Sequence, residues 1–250
     1  MEKKKENRRQ FGLIGRNIDY SFSRGYFAQK FEKEKLLNYD YKNFDLPTIK
    51  ALKPLLEAKN LAGLNVTIPY KKEIIPFLDK LSEEAREIGA VNTLCFQKDG
   101  TVLGANTDCY GFEKALKERL DKMPKNALIL GTGGAAAAIE YVLRKNNTAY
   151  YFVSRQPQKG QLAYGDLPQL GLDQFPLIIN CSPVGTFPHT QAAPAIPYEQ
   201  LTSKHTLFDL IYNPEKTQFL HKGEQQGATI INGYPMLVYQ AEKSWELWNA

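Results

Sequence analysis

The sequence predicts an α/β protein in two parts. An N-terminal α/β domain precedes a C-terminal Rossmann-like domain with a doubly wound parallel sheet, and the active site lies in the cleft between them. Three observations predict this. The second half repeats short apolar strands separated by helical stretches, the pattern of a parallel sheet covered on both faces. One of those strands runs directly into Gly131-Thr132-Gly133-Gly134 and then an alanine-rich helix. The first half also alternates strand-like and helix-like stretches, but it contains Asp99-Gly100 between two apolar runs, the strongest short hairpin signal in the chain.

The elements follow in order. Phe11–Gly15 reads as a strand, and Ser23 as the N-cap of a helix reaching about Leu37, with Tyr26, Phe27, Phe31 and Leu36 at helical spacing. A strand over Tyr39–Phe44 precedes a helix from Pro47 to Glu57, where proline suits the first turn. Gly63–Thr67 is a short strand stopped by Pro69, and Ser82-Glu83-Glu84 starts a helix that Gly89 ends. Val91–Phe96 and Thr101–Ala105 flank the hairpin turn, and a helix over Thr107–Asp121 leaves the domain. Asn126–Leu130, Ala149–Val153, Leu177–Cys181, Leu207–Ile211 and Ala228–Ile231 are the strands of the second half. Its second crossover, Ser154 to Pro176, is dense in glycine and proline and leaves little room for a full helix. A final amphipathic helix from Pro235 to Trp248 returns to the first domain, with Trp245 and Trp248 on one face. The boundaries are then a flexible basic tail over 1–10, a first domain over 11–107 completed by the helix 235–250, and a second domain over 108–234.

Composition narrows the function. The 250 residues are 43% hydrophobic and 24% charged, a globular balance, and no apolar run approaches the ~18 residues of a membrane span. The charged N-terminus lacks the apolar stretch of a secretion signal. Cys95, Cys109 and Cys181 have no paired spacing, which fits reduced thiols in a cytoplasmic protein. Five basic residues against two acidic ones in Met1–Gln10 give a local +3 of the chain's +5, so the basicity is a solvated overhang and not a nucleic-acid surface. His189, His205 and His221 show no metal spacing and read as solvated or rim residues.

Gly131-x-Gly133-x-x-Ala136 has the spacing of a dinucleotide-binding turn, in the strand-to-helix context that gives the pattern meaning. Gly131 permits the turn, Gly133 lets backbone approach a pyrophosphate, and Ala136 allows close packing. Thr132, Gly134 and Ala135 complete the loop at the helix N-terminus. The residues after the next strand choose the nucleotide. An NAD site wants a carboxylate for the ribose 2′-hydroxyl, whereas this chain offers Ser154, Arg155 and Lys159. An arginine and a lysine suit a 2′-phosphate, so the cofactor is NADP.

Oxidising a secondary alcohol also needs a base. Lys71 and Asp108 each end a strand-like segment, and a lysine in a partly desolvated cleft can exchange protons near neutrality. Four motif blocks surround these residues. Asn65-Val66-Thr67-Ile68-Pro69-Tyr70-Lys71 fits N-V-T-x-P-x-K, Ala85 to Thr93 reads A-x-x-x-G-A-V-N-T, Gly104 to Asp108 reads G-x-N-T-D, and Met236 to Ala241 reads M-L-V-x-Q-A. This ordered set, spanning about residues 11–245, resembles the shikimate/quinate dehydrogenase family. The resemblance implies reversible, NADPH-dependent reduction of 3-dehydroshikimate to shikimate, on the route to chorismate and the aromatic amino acids.

It implies Lys71 as acid/base with Asp108 as its partner on one hydroxyl. It implies that Asn65, Thr67, Asn92 and Gln240 contact the substrate, that Tyr212, Ser21 and Ser23 hold its carboxylate, and that Leu210 and Gly233 border the cofactor. Three blocks depart from the family's pattern. Tyr20-Ser21-Phe22-Ser23-Arg24 stands for H-S-x-S-P, Thr186 follows Gly185 where methionine is usual, and Asn232-Gly233-Tyr234-Pro235 replaces G-x-G. A quinate/shikimate enzyme of broader specificity and a non-catalytic NADP-binding paralogue remain alternative readings. Monomer and homodimer are both open.

Overall fold

The computed structural model describes residues 9–19, 21–58 and 60–250. Residues 1–8 of the basic tail and the Tyr20 departure lie outside the described residues. The chain divides into two compact units, one running to Thr107 and including Ala241–Ala250, the other spanning Asp108–Gln240.

The first unit opens with strand β1 (Arg9–Gly15). Arg9 and Gln10, expected in the tail, pair with Tyr39 and Asp40. The Arg9 guanidinium donates to the Tyr39 hydroxyl at 2.9 Å and lies over the Phe11 and Tyr39 rings, which holds the strand end down. Helix α1 (Phe22–Lys33) is capped by Ser21, not Ser23, because Ser21 is the extended residue whose Oγ accepts the Ser23 N–H. The helix also stops before the predicted Leu37. Lys35 adopts φ 57° and the Leu36 N–H returns to the Phe31 carbonyl.

Strand β2 (Tyr39–Asp45) follows. The predicted helix 47–57 shrinks to a 3-10 turn (Ile49–Ala51) and a five-residue α2 (Leu52–Leu56). Pro54 lacks a backbone N–H and fits only a first turn, so the helix cannot start a full turn earlier. Strand β3 (Leu61–Val66), the short β4 (Lys80–Leu81) and α3 (Glu83–Ile88) come next. Ser82 caps α3 and Gly89 ends it at φ 66°, as predicted. Strands β5 (Thr93–Phe96) and β6 (Val102–Ala105) pair antiparallel across the Asp99-Gly100 turn. The strand order is β2-β1-β3-β5-β6-β4. One face carries an aromatic cluster in which Phe11, Phe27 and Phe31 meet Trp245 and Trp248 of the C-terminal segment. A Cβ on Gly63 would fall 2.4 Å from the Trp248 ring, so only glycine lets that indole seat on β3.

The second unit starts with α4 (Asp108–Lys117), then β7 (Asn126–Leu130), α5 (Ala136–Lys145) and β8 (Ala149–Ser154). The predicted crossover gap holds a strand the sequence did not disclose, β9 (Leu162–Ala163), followed by a single 3-10 turn and the four-residue α6 (Leu167–Leu170). Strand β10 (Leu177–Asn180), β11 (Thr206–Asp209), α7 (Gln218–Gln225) and β12 (Thr229–Ile231) complete the sheet. Its order is β12-β11-β10-β7-β8-β9, and every pairing is parallel. Helix α8 (Tyr234–Trp248) begins in this unit and ends in the first. Among the described residues no helix is long and apolar enough to cross a membrane. His205 is a correction: it is 2% exposed, with Nε2 against the Leu172 carbonyl and Nδ1 receiving the Thr202 N–H. Two backbone groups of different loops occupy its ring, so it is a structural histidine.

Candidate active site

In the parallel sheet, β7 ends at Leu130 and the chain turns through Gly131 at φ 101°, a conformation open to glycine. A Cβ on Gly133 or Gly134 would meet nothing within 4 Å, so the turn faces open space. No side chain caps α5 immediately after it; the Ala136 and Ala138 N–H groups turn back to the Gly133 and Ala135 carbonyls, and the positive end of the helix still faces the turn. A cavity of about 960 Å³ runs from Gly131, Thr132 and Gly133 past Ser154 and Arg155 to Ser182, Pro183 and Val184. Both the shape and the donors fit a dinucleotide. Arg155 is exposed at the end of β8 and, among the described residues, forms no salt bridge.

Not every predicted cofactor residue joins this cavity. Lys159 sits on an exposed turn outside the lining. Gly134, Ala135 and Leu210 are not in the wall either, and Gly233 has a packing role: a Cβ there would fall 2.3 Å from the Leu210 carbonyl oxygen. Residues that sequence reasoning passed over do line it, among them Gln156, Tyr164, Cys181 and Pro194. Burial pushes the Cys181 thiol up, which keeps it protonated and unreactive.

The 182–185 loop is held from below by Asp209, the last residue of β11. Its carboxylate accepts from the Thr217 hydroxyl at 2.6 Å, the Asn180 amide at 3.0 Å and the Ile211 N–H at 3.0 Å. Asn180 in turn accepts from the Ser182 N–H and hydroxyl and donates to the Val184 carbonyl. Burial pushes the Asp209 carboxyl up to about 6 despite the three donors. Nothing in the sequence marks the reach of Asp209 to Asn180. Tyr212, four residues before Lys216, lines a different cavity of about 890 Å³ with Asn232, Tyr234 and Tyr239.

In the first unit the motif blocks converge on a buried polar network. Asn65 is 4% exposed; its Oδ1 accepts from Tyr41, and its Nδ2 donates to Ser244 at 2.9 Å and, at 3.3 Å, to Thr93 and the Asn92 carbonyl. Its amide thus has four protein partners. Asn92 Oδ1 accepts the Thr107 N–H at 2.7 Å, while its Nδ2 donates to the Thr107 hydroxyl at 3.0 Å. Asp108 follows directly, 8% exposed at the start of α4, where a carboxylate complements the helix dipole.

Lys71 is half-buried, and its carbonyl accepts the Val91 N–H at 2.8 Å. Thr67 is fixed through its N–H to the Ile14 carbonyl. Ser21 and Ser23 lie half-buried at the start of α1, where Ser23 also hydrogen-bonds the Tyr41 oxygen. Gln240 is 7% exposed on α8, with Nε2 donating to the Leu237 carbonyl at 3.0 Å.

These blocks match known proteins. The shikimate dehydrogenase substrate binding domain model matches residues 13–94. A shikimate dehydrogenase (NADP(+)) of Methanococcus maripaludis is 38% identical, with 95% of this chain and 90% of the relative aligned. The chain belongs to the shikimate dehydrogenase family. The shikimate dehydrogenase of Thermus thermophilus, solved with NADP(H) and shikimate, superposes with a TM-score of 0.82 at 31% identity, covering 96% of this chain and 93% of that one. Quinate dehydrogenase of Corynebacterium glutamicum, solved with NAD, shares the architecture with a TM-score of 0.85 at 25% identity, covering 96% and 93%. Within the shikimate dehydrogenase pattern, Thr186 is half-buried beside Gly185, whose φ of 100° keeps the loop glycine-dependent.

Proposed function

We propose that this chain is an NADP-dependent shikimate dehydrogenase that interconverts 3-dehydroshikimate and shikimate in aromatic amino-acid biosynthesis, in the cytoplasm. The observation that carries the reading is the open glycine turn leading to an unpaired Arg155, in a chain that keeps Lys71 and Asp108 inside the family's motif blocks. Thr132 and Gly133 hold the pyrophosphate by backbone N–H groups on the turn that Gly131 makes, while the Gly131 N–H stays with the Val153 carbonyl, and Ser154 and Arg155 take the adenosine end. When bound, the nicotinamide supplies or accepts the hydride.

The protein's part is the proton and the substrate's orientation. In the reducing direction the Lys71 ammonium gives its proton to the carbonyl oxygen as that oxygen becomes a hydroxyl, and in the reverse direction the amine takes it back. Asp108 accepts a hydrogen bond from the same hydroxyl and orients it. Ser21, Ser23 and Tyr212 take the substrate carboxylate, and Thr67, Asn92 and Gln240 take the remaining ring hydroxyls. The tests are kcat/KM values for shikimate and quinate, each with NADP and NAD. Shikimate with NADP is the favoured pair. Comparable turnover of quinate with NAD establishes the broader enzyme instead, and no turnover of any pair establishes a binding protein.

A further inference from the structure

The shortened crossover of the second unit changes what stands beside the cofactor cavity. Strand β9 adds a sixth strand next to β8, pairing Val153 with Leu162 and Ser154 with Ala163. The next residues along the two parallel strands are Arg155 and Tyr164, and both line the cavity. Leu162 and Tyr164 pack against the core cluster beneath the sheet, so the phenol ring is anchored.

Its hydroxyl is not buried away. Among the described residues it has no hydrogen-bond partner, yet it is not a sealed polar atom, and it belongs to a residue of the cavity wall. Burial pushes the Tyr164 phenol up while the neighbouring Arg155 guanidinium pulls it down, so the two groups share one electrostatic environment. A neutral hydroxyl donor beside an uncommitted guanidinium is a pair suited to a phosphate dianion, and a bare ribose hydroxyl gains much less from it.

Resting on the reading of this cavity as an NADP site, we propose that Tyr164 is a specificity-determining residue. Its hydroxyl donates to the adenosine 2′-phosphate that Arg155 also engages. The short crossover therefore pairs a strand with β8 and delivers a phosphate donor on the rung beside the arginine.

Calorimetric titration of 2′,5′-ADP and 5′-AMP into wild type, Tyr164→Phe and Arg155→Ala tests this without turnover. Tyr164→Phe keeps the packed ring and removes only the hydroxyl. Its affinity for 2′,5′-ADP falls on the order of 10-fold while 5′-AMP binding stays the same, and kcat/KM for NADP falls in step with NAD unchanged. Equal loss for both nucleotides makes Tyr164 an adenine wall and overturns the proposal, as does no loss for either. If wild type binds 2′,5′-ADP no better than 5′-AMP and Arg155→Ala changes nothing, the NADP reading itself falls and the role of Tyr164 falls with it.

Discussion

The Tyr41 hydroxyl donates to Asn65 Oδ1 at 2.8 Å, with Tyr41 5% and Asn65 4% exposed. The bond joins β2 to β3 across the interposed β1 and ties the helix that carries Ser23 to the network that carries Asn92 and Thr107. Tyr41→Phe leaves a buried carbonyl oxygen short of its donor. The expected cost is about 1–3 kcal/mol, read by urea unfolding. A variant as stable as wild type refutes the idea that this network is fully satisfied.

Lys71→Ala is expected to lower kcat at least ~100-fold, the low end of what a positioned acid/base supplies, with little change in shikimate KM. Asp108→Asn behaves similarly. The double variant falls far short of the product of the two single losses, because both groups serve one proton. Near-normal turnover of Lys71→Ala removes the lysine from the mechanism.

Ser21→Ala combined with Ser23→Ala raises shikimate KM more than it lowers kcat, since carboxylate binding is shared by ground and transition states. Ser21 also caps α1, so its replacement costs stability, typically ~1 kcal/mol. The methyl ester of shikimate separates the two effects. It binds more weakly than shikimate to wild type and shows little further difference in the double variant. The same ester penalty in both proteins places the carboxylate elsewhere.

Arg155→Ala should erase most of the NADP preference by weakening NADP and leaving NAD unchanged. Because Arg155 is exposed, the wild-type preference, expected to exceed ~10-fold in kcat/KM, shrinks with added salt. Steady-state kinetics at two ionic strengths read both effects. An undiminished preference shifts the phosphate site, with Lys159 as the next residue to replace.

Asp209 gives the fold a pH dependence of defined sign. Its folded carboxyl titrates at about 6, above the unfolded range near ~4, so between those values the folded state holds the extra proton. Stability contributed by this group is therefore present at low pH and lost as pH rises through about 4 to 6. Urea unfolding of wild type and Asp209→Asn at pH 5 and 7.5 isolates it. The asparagine variant carries a constant penalty for its missing acceptor, and wild type loses more stability than the variant between the two pH values. Parallel losses disprove the assignment.

Local signals were legible wherever the physics is local. Ser82 and Gly89 bounded α3, Asp99-Gly100 made the hairpin, and the glycine turn fell between β7 and α5. The misreadings are tertiary. Ser21 and Ser23 are both capping types, and only the chain path through the Ile18 carbonyl selects Ser21. Strand β9 is two residues long and exists because β8 offers an edge. His205 reads as polar until Leu172 and Thr202 close around its ring. Lys71 and Asp108 stand out by motif, whereas the part of Asp209 depends on Asn180, 29 residues away in the chain.

Helix α8 has a consequence for synthesis. The second unit is continuous in sequence, so its sheet can close while the chain is still emerging from the ribosome. The first unit is made earlier but must wait, because Trp245 and Trp248, which pack against Phe11 and Phe27, are translated after the whole of Asp108–Gln240. The part of the protein made first is thus the part completed last.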